Sequence, residues 1–281
     1  MLAIDSHHHI WNPFVGDFSW MTREHDPINR EFTPEDLIPL LAQARVSHTV
    51  LVQTWSSLEE TEAFLTLAAS NDFISGVVGW MDLTGDVSEQ LTRLYAHPHR
   101  SFLKGVRHQV HNEDDANWLM QPNVQKGLRT LAASGLAYDL LIRPREIPAA
   151  ISCVEALPDV KFIVNHIAKP RISEGWDKEW EAQITQLASH HENVWIKLSG
   201  LVTEADWGTW KPQDIRPYVE RVLALFGTKR VMVGSDWPVC TLASSYSQTM
   251  DLVRDCITNY TPDEQSDILR NNAIRAYGLD L

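Results

Sequence analysis

The sequence is short of cysteine, short of basic charge and without long apolar runs. Its three cysteines, Cys153, Cys240 and Cys256, are odd in number and far apart. That excludes a disulfide-stapled scaffold and fits reduced thiols. Lys and Arg total 24 against 37 Asp and Glu, a net charge of −13. An acidic surface repels phosphate backbones, so no nucleic-acid partner is expected. No stretch approaches the roughly 20 apolar residues of a membrane span, so no membrane partner is expected either. The first residues lack a basic segment followed by an apolar one, the pattern of a secretory signal, and the expectation is a cytoplasmic protein. Low-complexity tracts and short repeats are missing. What remains is a chain of 281 residues, 44% hydrophobic and 22% charged, long enough for a large core and of a size that suits one α/β barrel spanning 1–281.

Short Val- and Ile-rich bursts alternate with helical patterns. The bursts are LAID (2–5), HTVLVQ (48–53), GVVGWM (76–81), FLKGVRHQV (102–110), LAYDLLI (136–142), KFIVNH (161–166), VWIKLSG (194–200) and RVMVGSDW (230–237). They read as strands buried on both faces. Between them TPEDLIPLLAQAR opens with Thr33 as N-cap and Pro34 at the first helical position. SLEETEAFLTLAAS sets Leu58, Thr61, Phe64, Leu65 and Ala68 on one stripe. Further helical patterns follow, among them EWEAQITQLASHH, and TPDEQSDILRNNAIRAYGL reads as a last helix. Eight strands alternating with helices predict parallel βαβ units, and eight such units close into a (β/α)8 TIM barrel. An open doubly wound sheet would show a glycine-rich phosphate turn after its first strand, where this chain has DSHHHIWNP.

In such a barrel the chemistry sits where strands end. Side chains alternate along a strand, so His7 and His9 point one way and His8 the other. The triplet therefore reads as a site and not as a tag: His7 and His9 can offer two imidazoles to one cation or one substrate. The sixth burst ends with His166 and the eighth with Asp236, at the same end of the barrel. His8 reads as structural, and Asp5 as a group that orients its strand or a neighbouring ligand. Asp139 and Arg143 read as a structural pair. Parity within the fourth burst leaves Arg107 and His108 as alternatives for a substrate contact. Lys197, Gln53, Trp11 and Trp237 are further candidates at strand ends, and Trp55 lies just beyond the second.

DSHHH, NHIAKP, KLSGLVTEADW and VMVGSDWPV, in this order, resemble the amidohydrolase superfamily. More narrowly they resemble its sugar-lactonase branch, the fuconolactonase- and rhamnonolactonase-like proteins, over essentially the whole chain. The resemblance implies a (β/α)8 barrel and hydrolysis of an ester or amide bond. Binuclear members carry a bridging carboxylated Lys or a Glu at the end of strand four and a His at the end of strand five. Here strand four offers Lys104, Arg107 and His108, and strand five has no histidine. The expectation is therefore one divalent ion, zinc first, on His7, His9, His166 and Asp236, with a metal-free site as the alternative.

Lactone opening needs a base for water, which Asp236 supplies because an Asp is ionised at neutral pH. It also needs a positive group at the carbonyl oxygen, met by the metal or by His166, His7 or His9. The expected substrate is a sugar-acid lactone, and a homo-oligomer is compatible with the sequence. Two rivals remain. One is a decarboxylase or a hydrolase of aromatic-ring-cleavage lactones, and the other a non-catalytic sugar-binding barrel. An aromatic polyacid would need several Arg or Lys at the mouth, and the strand ends offer few, so a neutral polyol lactone is expected.

Overall fold

The computed structural model describes residues 1–189 and 192–281. Eight parallel strands follow one another around a barrel in the order β1 to β8: β1 Ala3–His8, β2 Val46–Val52, β3 Ile74–Gly79, β4 Leu103–His108, β5 Ala137–Leu140, β6 Phe162–Val164, β7 Val194–Leu198 and β8 Val231–Val233. The seam between β8 and β1 is closed by backbone bonds: Asp236 N–H donates to the His7 carbonyl at 2.8 Å and His9 N–H to the Trp237 carbonyl at 2.6 Å. The two segments that carry His7, His9 and Asp236 are thus adjacent because the barrel closes there. Gly234 allows the approach, since a Cβ on it would lie 2.7 Å from the His7 Cβ. This is the expected (β/α)8 barrel.

The helices on the outside are α1 Pro34–Gln43, α2 Leu58–Ala69, α3 Val87–Tyr95, α4 Pro122–Ala133, α5 Ile147–Ala156, α6 Lys178–Ser189, α7 Pro212–Phe226 and α8 Tyr246–Cys256. Their starts are set by local chemistry. Ser57 accepts the Glu60 N–H at the head of α2, and Asp86 accepts the N–H groups of Ser88 and Glu89 at the head of α3. The last two residues of EWEAQITQLASHH lie outside the described residues. The closing segment is not one α-helix: α9 Pro262–Ser266 and α10 Asn272–Tyr277 flank a π-helical turn at Asp267–Asn271. Side-chain anchors sit there, with Asp267 paired to Lys229 and Arg275, and Asn272 Nδ2 donating to the Thr228 and Val231 carbonyls.

One apolar layer fills the space between strands and helices, and a smaller one fills the barrel itself. The inner layer consists of Ile4, Val50, Val52, Val78, Ala137, Ile163 and Met232, stoppered from below by Ala273, Ala276, Tyr277 and Leu279 of the C-terminal segment. The functional residues stand above this plug, at the strands' C-terminal ends.

Candidate active site

The floor of the site is a set of acceptors that converge. His9 Nδ1 lies 2.8 Å from the Val52 carbonyl, which only accepts. The ring proton therefore resides on Nδ1, and Nε2 presents a lone pair to the cavity. His7 Nε2 lies 3.2 Å from Arg107 Nη1 and its Nδ1 3.2 Å from Lys197 Nζ, both of which only donate, so His7 accepts on whichever side lacks its ring proton. The two Nε2 atoms face each other at 3.2 Å. Asp236 Oδ1 lies 3.4 Å from His9 Nε2, 3.7 Å from His7 Nε2 and 3.8 Å from His166 Nε2. The His7, His9 and Asp236 ligand atoms all lie within 4.8 Å of one another, and all three residues are buried. Lone pairs pressed together in a dry site repel unless a cation sits among them. Protonation is a poor substitute, because burial, foremost, drives the pKa of both His7 and His9 down. Tetrahedral ligands 2.0–2.1 Å from one ion stand roughly 3.4 Å apart, close to the spacings seen here. The residues present fit a single divalent ion.

Asp236 is the carboxylate of the site. Burial raises its pKa, but His166, His9 and Lys169 outweigh that and bring it to about 2. It sits at φ +59 in the left-handed region, which few non-glycine residues adopt. His166 is held by an unusual backbone: His166, Ile167, Ala168 and Lys169 all have φ between +47 and +62. Such conformations cost of order 1–3 kcal/mol each and persist where the surroundings over-determine them. Ser199 Oγ holds His166 Nδ1 at 2.9 Å, and burial, ahead of nearby cations, lowers the imidazole's pKa to about 3.

A polar layer supports this floor. Arg107 Nε and Nη2 donate to Gln53 Oε1 at 3.1 and 2.7 Å, and Nη1 donates to Asn165 Oδ1 at 3.4 Å. Lys197 Nζ stands 2.6 Å from Asp139 Oδ2 and 3.2 Å from His7 Nδ1. Tyr277 Oη and Asn165 Nδ2 also donate to Asp139. Asp5 accepts from His7 N–H, Ser235 N–H, Ser235 Oγ and Tyr246 Oη, which ties β1 to β8 beneath the acceptors.

Above the floor opens a cavity of about 840 Å³. One wall is aromatic. Trp11, Trp20, His25 and Trp207 line it, with His25 between Trp20 and Trp207 at centroid distances of 5.2 and 5.6 Å. Arg107, Arg143, Arg145, Lys169 and Arg171 also line it. This corrects the expectation of few cations at the mouth. Lys169, Arg145 and Arg171 belong to loops beyond the strand ends, where reading strand ends alone does not reach.

Of the substrate-contact candidates, Arg107 and Trp11 line the cavity. His108 does not: its ring stacks on Trp118 at 4.3 Å, accepts from Trp80 Nε1 at 3.1 Å and meets Glu113 at 2.6 Å. Parity therefore sends Arg107 inward and His108 outward. Gln53 and Lys197 lie buried beneath the floor, bonded to Arg107, Asp139 and His7. Trp237 is buried edge-on against Phe32 at 5.3 Å. Asp139 pairs with Lys197 and not with Arg143. His8 is fully buried, and neither ring nitrogen has a hydrogen-bond partner among the described residues. Sequence reading missed Trp20, His25, His111 and Trp207. They stand on loops whose path only the fold defines.

The amidohydrolase family model matches residues 4–279. An L-fucono-1,5-lactonase of Burkholderia ambifaria is 34% identical, with 99% of this chain and 96% of that protein covered. An L-rhamnono-gamma-lactonase of Scheffersomyces stipitis is 23% identical over 63% of this chain and 59% of that one. A crystal structure of a Burkholderia multivorans amidohydrolase with bound zinc superposes with a TM-score of 0.93 at 32% identity, covering both chains completely. The chain belongs to the amidohydrolase family and is a hydrolase.

Proposed function

We propose that the cavity opens a sugar-acid lactone, of the L-fucono-, L-rhamnono- or a related aldono- type, to the corresponding hydroxy acid. The observation that carries this is the convergence of His7, His9 and His166 on one oxygen of an ionised, buried Asp236. The lactonases among the relatives support the substrate class. The aromatic wall suits the C–H faces of a sugar.

Asp236 takes a proton from water as its oxygen attacks the ring carbonyl. His166 donates from Nε2 to the carbonyl oxygen as negative charge builds there, with Ser199 Oγ–H donating to Nδ1 to fix that tautomer. The tetrahedral intermediate then breaks its ring C–O bond, and Asp236 returns the proton to the departing alkoxide. Arg107 is positioned to contact substrate oxygens. A divalent ion held by His7, His9 and Asp236 would supply Lewis-acid polarisation. Gln53 and Lys197 act through Arg107 and His7 as positioning residues. The three free, buried cysteines support a reducing compartment such as the cytoplasm, and among the described residues no helix is long and apolar enough to cross a membrane.

A panel of aldono-lactones with a pH indicator tests the reading, with zinc-supplemented enzyme. At least one lactone should release acid, and Asp236→Asn should lower kcat by about a thousandfold or more while the fold is kept. Intact lactones throughout, or turnover unaffected by Asp236→Asn, would overturn it.

A further inference from the structure

The cavity is divided in two. The acceptor floor and most of the aromatic wall come from the β8–β1 side and the loops after β1 and β7. The cations come from three neighbouring strand ends: Arg107 from β4, Arg143 and Arg145 just after β5, and Lys169 and Arg171 just after β6. Five guanidinium or ammonium groups line the space against three carboxylates, Glu179, Glu204 and Asp236, on a chain whose net charge is −13. A positive cavity in an acidic protein draws anions.

Most of these cations already have partners. Lys169 is paired to Glu204, Arg145 to Glu146, and Arg171 stands near Glu174 and Asp177. Arg107 is clamped by Gln53. Arg143 differs: among the described residues its guanidinium has no hydrogen-bond or ion-pair partner. Next to it the His111 backbone N–H is tied to the Leu141 carbonyl at 3.2 Å, and His111 lines the same cavity with a buried Nδ1 that has no hydrogen-bond partner among the described residues. Burial, then Lys169, Arg143 and Arg107, force the pKa of His111 down to about 2. A neutral imidazole beside an unpaired guanidinium is a matched pair of donors for a planar carboxylate.

We propose that Arg143 and His111, with Lys169 beside them, form a carboxylate-binding subsite, and that the preferred substrate is a lactone bearing a second, ionised carboxylate at the end of the molecule away from the reacting carbonyl. This rests on the lactonase reading and moves its substrate from the L-fucono and L-rhamnono types, which end in a neutral methyl group, to a related lactone that ends in a carboxylate. The ring carbonyl lies over Asp236 while the carboxylate reaches the β4–β6 wall.

The test compares two lactones of the same ring and stereochemistry, one ending in a neutral group and one in a carboxylate. The carboxylate-bearing lactone should show the higher kcat/KM, and added salt should erode its advantage. Arg143→Gln should lower the ratio of the two kcat/KM values roughly tenfold, the loss of one charge-assisted contact, and Arg143→Lys should restore part of it. A preference for the neutral lactone, or a ratio untouched by Arg143→Gln, overturns the proposal. The hydroxy acid made from the neutral lactone separates a second source of the same chemistry. If Arg143→Gln relieves inhibition by that product without changing the ratio, the subsite serves the carboxylate the reaction creates, and the substrate assignment fails. If neither lactone is opened, the lactonase reading falls, and calorimetric binding of the dicarboxylic acid still decides the subsite. Affinity weakened about tenfold by Arg143→Gln supports the subsite, and unchanged or absent binding refutes it.

Discussion

Gly200→Ala should disable the site through a residue that contacts no substrate. Gly200 follows β7 at φ +61, and a Cβ there would lie 2.5 Å from His166 Nδ1 and 2.7 Å from its Cγ. Ordinary contact begins at 3.4 Å, so the imidazole or its loop must retreat by about 0.9 Å. Two costs follow. An alanine in the left-handed region costs about 1–2 kcal/mol. Displacing the ring loses its bond to Ser199 Oγ, about 1 kcal/mol. Unfolding monitored by calorimetry should show roughly 2–3 kcal/mol of destabilisation, a Tm lower by about 4–10 °C. With His166 donating to the carbonyl oxygen as proposed, a shift near 1 Å should cost about a hundredfold in kcat. The decisive assay is a double-mutant cycle with His166→Ala. Without the imidazole the two closest contacts disappear and only the His166 Cβ position, 3.0 Å away, remains tight, so Gly200→Ala should then cost little beyond the backbone term of about 1–2 kcal/mol and leave residual activity unchanged. Equal stability costs in both backgrounds, or full activity in Gly200→Ala alone, would refute the placement of His166.

The acceptor cluster predicts one zinc per chain by elemental analysis after reconstitution, and His9→Ala should lower the affinity by more than tenfold; full zinc retention in that variant would contradict the cluster. Chelation should also lower Tm, since an ion bound to the folded state stabilises it. Glu60, buried behind the cavity, accepts from Thr54 and Trp55 N–H groups, yet burial raises its pKa to about 7. The folded state therefore holds this proton more tightly than the unfolded chain does. The resulting stability is present below about pH 4.5 and is lost as pH rises through about 7, at most about 3 kcal/mol. Glu60→Gln should flatten the stability profile across that window, and an unchanged slope in urea unfolding would count against it.

The acceptor cluster was legible because it obeys simple rules. His7 and His9 are two residues apart at the end of β1, and His166 and Asp236 lie just beyond β6 and β8; closing eight parallel strands brings such ends together. The opposite wall was not legible. Lys169 follows three left-handed residues of a type no propensity predicts, His111 stands on a short 3-10 turn after β4, and Arg143 read as a partner for Asp139, which Lys197 takes instead. A signal for the polar layer was nonetheless present. From β4 to β7 the inward residues run Gly105 then Arg107, Ala137 then Asp139, Ile163 then Asn165, Trp195 then Lys197. In each strand a small or apolar residue gives way two positions later to a polar one. Period-two patterning normally stays apolar in a strand buried on both faces. Four consecutive strands that switch together mark the depth at which packing ends and the site begins. Burying Arg107, Asp139 and Lys197 costs more desolvation than an apolar layer would, so stability alone does not account for them. Asp139 holds Lys197 against His7 Nδ1, and Arg107 meets Nε2, so a cation stands at each nitrogen of the His7 ring.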